Sequence, residues 1–525
     1  MQRWIKILKA AGFAAATVMT PVAAYAADAR IGVRTETQSM DPHFSYIGTS
    51  KATVLNVFDL LIERDKDLRL QPGLAESWKK IGDRLWEFKL RPGVKWHDGV
   101  PFTADDVLFT FKRAGDVPNS PAPFTTFLSD IAKAEKVDDL TVRISTNTES
   151  AQLLLDLADI PIISQHAGKG AATADYNSGK ATIGTGPFKF VSWQPGGKLA
   201  LVRNDNYWGK KSDFASVDVL AMPNDASRVA ALLSGDVDLI EAVPPDNYQR
   251  LLSDPKVELF KINDVFAAYI HMDTNRAETP FITAKNGAKI PNPLLNPKVR
   301  RALSLAIDRK AIVSRLLFGL GEPAGQLASP SMIGFNPDIK PTGYDPAAAK
   351  KLLAEAGYPD GFKMTLHGPS NRYVADAQIT QAAAQMFERI GIATSVETMP
   401  SNVFFAKASA QEFSIFFIAF GSPQGTAWLS LRGVLMTFNK EEGYGPSNRG
   451  RYSNPEVDRL TKLALGAANL DDAATFARQA AAIAYGEDAV IPLHYQLNVW
   501  AARKGFVYEA RQDQATMALS LSRAR

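Results

Sequence analysis

The nearest approaches to reactive constellations in this chain are the Asp105-Asp106 pair, the Gly184-Thr185-Gly186 run and six histidines at 43, 97, 166, 271, 367 and 494. Adjacent carboxylates can divide acid and base duties when their surroundings push their pKa values apart. Here they follow Thr103 and precede Val107, Leu108 and Phe111, which makes them favourable charges on the first turn of a helix. The Gly-x-Gly run opens like a phosphate-cradling loop, but Lys189 stands where the third glycine belongs. The histidines show neither metal-ligand spacing nor a partnered nucleophile. Absence of cysteine removes thiolate chemistry, disulfides and Cys-ligated zinc. There is no G-x-S-x-G, H-E-x-x-H or G-x(4)-G-K-[ST]. These residues point to a binder and not an enzyme, with no cofactor and no metal site expected.

The elements that would position a binding site alternate between strand and helix. Trp86, Phe88 and Leu90 alternate with Glu87 and Lys89, the period of a half-buried strand. Pro92-Gly93 and Asp98-Gly99 are turn dipeptides, and Thr103 with Asp106 three residues later has the form of a capping box. Leu140, Val142 and Ile144 mark another strand, and 198–202 a further one. Helices are expected at 227–234, stopped by Gly235, after Asn296-Pro297 with Val299, Ala302, Leu303 and Ala306 inward, at 347–356, and at 375–390 with Ile379, Ala383, Met386 and Ile390 inward. Phe362, Met364 and Leu366 form a strand, and the apolar run 413–420 is a buried strand by its length. Elements in this order make an α/β chain.

Composition narrows the compartment and the partner. Arg3, Lys6 and Lys9 precede an apolar stretch and Ala24-Tyr25-Ala26, the pattern of a cleavable secretory leader over 1–26. The apolar stretch is too short to span a bilayer. Losing those three cations takes the formal charge of +4 close to neutrality, so no electrostatic case exists for nucleic acid or anionic membrane. A lipid anchor through cysteine is impossible. With 46% hydrophobic and 22% charged residues the chain is an ordinary globular protein long enough for two or three domains.

PGLAESW (72–78) followed by LRPGVKWHDGVPFTADDV (90–107) resembles the signature of the extracellular solute-binding proteins of family 5, the periplasmic dipeptide, oligopeptide and nickel receptors of ABC importers. Segments 183–209, 223–245, 292–313, 344–362 and 452–460 resemble further blocks of that family in the expected order. The resemblance implies a type II periplasmic-binding fold, two lobes joined by a two-segment hinge plus an extra domain. By analogy one lobe comprises 27–56, 180–268 and 490–525, the extra domain 57–179 and the second lobe 269–489, with the hinge near 268 and 489. The implied partners are a small-molecule or peptide ligand and an inner-membrane permease with separate ATPase subunits, and the implied form is a monomer.

The same resemblance places the candidate ligand contacts. Peptide-binding members carry, in the loop after the strand here at 413–420, an aspartate that pairs with the peptide ammonium. This chain reads Gly421-Ser422-Pro423-Gln424-Gly425-Thr426-Ala427-Trp428, with no acid, and offers Ser422, Gln424, Thr426 and backbone carbonyls instead. A buried ammonium needs a charge or a full set of acceptors, so the departure shifts weight towards opines, sugars or metal chelates, although peptide stays first. Arg372 stands where members carry a ligand-facing side chain and could fork onto a carboxylate, or be a loop arginine. Phe420 and Trp428 are either pocket wall or core, and Arg432 is a second candidate anion contact. Asp41, after the first strand, is either a substitute ammonium partner or the acid of an Asp-Pro turn. A secreted hydrolase on the same scaffold is the second reading, and a sensor or chaperone that binds a ligand without transport is a third, which shares its sequence features with the importer receptor.

Overall fold

Two long strands organise the molecule, Val257–Met272 and Ile491–Arg503, paired antiparallel. The structure is a computed structural model that describes residues 28–525 except 36, 47, 121, 122, 150 and 371; the expected leader lies outside the described residues. Among those residues the two strands sit at the centre of a twelve-stranded sheet. From Phe266 onwards the first pairs antiparallel with Ile415–Gly421, which runs parallel to Lys363–Pro369, itself parallel to Ala393–Met399. On the opposite side Ile491–Arg503 leads through Leu239–Ile240 to Ala29–Val33, Ser216–Ala221, Lys198–Arg203 and Phe188–Trp193. Pairing slips between Asn263 and Ala267, a bulge that bends the strand where it passes from one half to the other.

Each half of the crossing strand belongs to a different core. Ala268, Ile270 and Met272 pack with Val299, Leu303, Ile379, Phe387 and Phe417. Phe260 and Ile262 rest on a cluster containing Ile31, Val217, Trp500 and Tyr508. A separate four-stranded antiparallel sheet, Ala75–Gly82, Leu85–Leu90, Thr141–Thr146 and Ile131–Asp138, buries Trp86, Phe88, Leu90, Val107 and Val142. One further cluster joins Leu68 and Leu155 from the N-terminal third to Tyr269, Trp428, Leu431 and Tyr495.

Helices start where the caps put them. Asn224 accepts from Ser227 N at the head of Asp225–Ser234, and Gly235 closes it with φ 84°. Asn296 accepts from Lys298 N before Pro297–Ala306, and Asp345 from Ala348 N before Pro346–Glu355. Asp376–Arg389 and Ile415–Gly421 lie close to the expected bounds. Glu87, expected to face water, is buried because Arg143 stands opposite it across the sheet and donates to its Oε2 from Nε and Nη2 at 3.0 and 2.9 Å.

The two sequence features that most resembled chemistry are structural. Asp106 accepts from Thr103 N (3.0 Å), Trp96 Nε1 (3.2 Å) and Gln165 N (2.7 Å), tying helix Ala104–Ala114 to two neighbouring segments. Asp105 pairs instead with Lys136 at 2.7 Å. A Cβ on Gly184 would stand 1.8 Å from the Val57 carbonyl oxygen, and one on Gly186 2.6 Å from it. Those glycines let two backbones touch. Among the described residues no helix is long and apolar enough to cross a membrane, and no group of three or more His, Asp or Glu could hold a metal.

Candidate functional site

The loop after Ile415–Gly421 is built around Ser422. Its N–H donates to Val265 O at 3.1 Å beside the bulge of the crossing strand. Its hydroxyl donates to Thr426 O (2.5 Å) and accepts from Thr426 N (3.3 Å), closing the turn on itself. Gly425 sits at φ 72°, and a Cβ there would come within 2.8 Å of Leu68 Cβ, so glycine is required for conformation and for contact with the N-terminal third. The chain then enters the short helix Ala427–Ser430, with Trp428 3% exposed.

This loop meets the helix Gln152–Leu157. Gln424 Nε2 donates to Asp156 Oδ1 at 2.9 Å, and Gln152 Nε2 donates to the same oxygen at 2.9 Å. Gln152 also donates to Gln424 Oε1 at 3.0 Å, and its own Oε1 accepts from Trp428 Nε1 at 3.4 Å. Residues 152 and 156 are one turn apart and therefore share a face. A run otherwise made of leucines presents one polar stripe, and that stripe reaches the loop.

Three residues further on, Asp159 has a different environment. Arg64 forks onto it through Nη1 and Nη2, each at 3.0 Å, and Lys51 donates to Oδ1. Burial works to raise its pKa, but the Arg64 and Lys51 charges outweigh this and hold the carboxyl well below its usual range. Asp156 has no cation bound to it and only the more distant pull of the Arg64 charge. Burial, with a smaller contribution from the Asp159 charge, pushes it up to about 7 against the hydrogen bonds of Gln152 and Gln424. Of two neighbouring acids, one is fully compensated and the other is held by two amides.

The expected contacts divide accordingly. Ser422, Gln424 and Trp428 come together in this loop. Phe420, half-buried, lays its ring over Gly433, where an added Cβ would meet it at 2.8 Å. Arg372 and Arg432 are exposed; Arg372 N donates to Asp376 Oδ2 at 2.8 Å and its guanidinium lies 5.3 Å from the Tyr373 ring centroid. Asp41 is committed elsewhere. Arg113 forks onto it at 2.8 and 2.7 Å, Thr173 Oγ1 donates at 2.8 Å and His43 N at 3.1 Å, so its acceptor positions are filled by protein and a ligand ammonium finds none. The Asp-Pro turn describes it better. Sequence reasoning missed Gln152, Asp156, Asp159 and Arg64; the signal was the polar pair at i, i+4 inside the apolar run 151–158.

A second polar cluster lies at the bulge. Asp264, 1% exposed, accepts from Gln514 Nε2 at 2.7 Å, and burial raises its pKa to about 7. Gln512 Nε2 donates to Ser331 Oγ at 2.5 Å and Gln512 N to Lys66 O at 3.1 Å. The C-terminal segment thereby touches the crossing strand, the 331 region and the N-terminal third at once.

Residues 69–439 match the model of the bacterial extracellular solute-binding proteins, family 5. The chain is 30% identical over 484 residues to heme-binding protein A of Haemophilus influenzae, covering 86% of this chain and 84% of that protein. It is 31% identical over 471 residues to the glutathione-binding protein GsiB of Pectobacterium atrosepticum, covering 87% and 85%. The solved structure of HbpA2 from Haemophilus parasuis superposes with a TM-score of 0.80 at 24% identity, over 95% of this chain and all (100%) of that one. The murein tripeptide binding protein MppA, in its unliganded open form, superposes at 0.78 and 20% identity over 94% and 97%. The fold is thus the mixed α/β fold of periplasmic binding proteins, and the chain belongs to the bacterial extracellular solute-binding proteins of family 5.

Proposed function

We propose that this protein is the periplasmic receptor of an ABC importer, capturing a small peptide between two lobes and delivering it to an inner-membrane permease driven by separate ATPase subunits. The observation that carries the reading is the pair of crossing strands, bulged at 263–267, with the 421–428 loop on one side meeting helix Gln152–Leu157 on the other. Relatives whose names specify glutathione, itself a small peptide, support peptide as the ligand class. We divide the chain into lobe I (27–56, 180–268, 490–525), an extra domain (57–179) and lobe II (269–489), and take the contact of Gln424 and Trp428 with Gln152 as the closed arrangement. Closure buries the ligand, and the closed population reports occupancy to the permease.

The leader at 1–26 would be removed on export and the mature chain left unlipidated, acting as a monomer. We read it as a binder rather than an enzyme because its relatives are solute-binding proteins. Its near-neutral charge favours no nucleic-acid partner. The acid-free loop keeps a second reading in play, a non-peptide solute such as an opine, a sugar or a metal chelate. Native mass spectrometry of the protein purified from its own periplasm, followed by denaturation, separates the two. A stoichiometric peptide supports the first; a solute without peptide bonds replaces it with the second.

A further inference from the structure

Asp156 is a buried carboxyl with no cation bound to it, placed where the two sides meet. It is 8% exposed, and its two protein donors, Gln152 and Gln424, are neutral amides converging on Oδ1. Among the described residues nothing donates to Oδ2. The nearby cations are already used, because Arg64 and Lys51 both bind Asp159. Gln424 Nε2 also lies 3.5 Å from Asp159 Oδ2, so its amide spans the two acids and cannot serve as a full counter-charge to either. Thr426 Oγ1, in the same loop, is buried with no hydrogen-bond partner. A buried carboxylate of this kind costs several kcal/mol unless a cation joins it, and the orphaned hydroxyl in the loop that carries Gln424 is a further unsatisfied polar group.

We propose that Asp156 is the subsite for a cationic amine of the ligand, so that the acid absent from the 421–428 loop is supplied across the interface by helix Gln152–Leu157. The ammonium would bind Oδ2, and Gln152 and Gln424 would hold Oδ1 so that the carboxylate is oriented before the ligand arrives. Because Gln424 belongs to one side and Asp156 to the other, an amine at this point also draws the two sides together. The inference rests on the receptor reading above and names the ligand group that reading leaves open.

The burial that raises the Asp156 pKa agrees with this placement, since a ligand cation would bring the carboxyl back to its charged form. The alternative is a neutral, protonated Asp156 acting only as a hydrogen-bonded link. Substitution by the isosteric amide separates the two, because Asn keeps the link and loses the charge.

The test is competition. Protein stripped of its native solute by denaturation and refolding is equilibrated with a mixture of random tripeptides, half with free N-termini and half N-acetylated, and the retained species are identified by mass spectrometry. The parent is expected to favour free-amine peptides by about thirtyfold or more, the usual consequence of leaving a buried charge unpaired. D156N is expected to level that preference to within about twofold while still melting cooperatively. D105N, which removes an exposed carboxylate paired with Lys136 and leaves Asp156 and both its amide donors in place, is expected to retain the preference and serves as the control. A preference that survives in D156N overturns the inference and leaves the receptor reading standing, as does a parent that takes both sets equally. Retention of neither set overturns the inference and the peptide reading together.

Discussion

At the scale of single residues, the two acids of the 152–159 segment differ in sign of effect. Asp156 has a raised pKa in the folded protein, so between about pH 4 and 7 the folded state keeps a proton that the unfolded chain has lost. Stability therefore falls as pH rises through that window, and the penalty is complete above it. D156N should be more stable than the unliganded parent at pH 8 by an amount on the order of a few kcal/mol, with the gain gone at pH 4. Asp159 behaves oppositely. Its depressed pKa means that its ion pairs stabilise at neutral pH and are lost as pH falls below the ordinary carboxylate range. Arg64→Met removes the forked partner, whose side chain is 5% exposed, and should cost about 3–5 kcal/mol at pH 7, shrinking towards pH 3; denaturant melts at the two pH values check both. Much of this was out of reach of the sequence. Ser422, Gln424 and Trp428 are close in the chain and could be grouped by eye, whereas Asp156 is 268 positions from Gln424, and its i, i+4 pairing with Gln152 does not reveal what that polar stripe meets.

Elements were more legible, because periodicity and capping are local. Trp86, Phe88 and Leu90 point inward as their spacing requires, and Asn224, Asn296 and Asp345 cap the helices they precede. Glu87 shows the limit, since only the register of the sheet reveals Arg143 opposite it. The Gly184-Thr185-Gly186 run shows another: its glycines answer to the Val57 carbonyl, a contact across more than a hundred positions of chain. Gly184→Ala should lower stability by about 3 kcal/mol, at the upper end of overpacking because the neighbour is backbone and cannot turn aside. Asp106→Ala should cost about 2–3 kcal/mol, the sum of a lost helix cap and an unsatisfied buried Trp96 indole N–H. Urea titrations of both variants measure these directly, and a change within about 0.5 kcal/mol would contradict the assignment.

At the scale of the molecule, the proposed receptor would bend where two strands pass from one half to the other. The bulge at 263–267 breaks the ladder where bending is needed, and the C-terminal segment carrying Gln512 and Gln514 contacts all sides of it. A ligand shifts such an equilibrium only by binding one state better than the other, and the proposed site between the 421–428 loop and helix Gln152–Leu157 requires both sides to meet. The most direct measurement is small-angle X-ray scattering of the stripped protein with and without its own co-purified solute at saturation. The account predicts a smaller radius of gyration with solute bound, reversed on removing it. A radius unchanged on saturation, with binding confirmed by native mass spectrometry on the same sample, would contradict capture by closure.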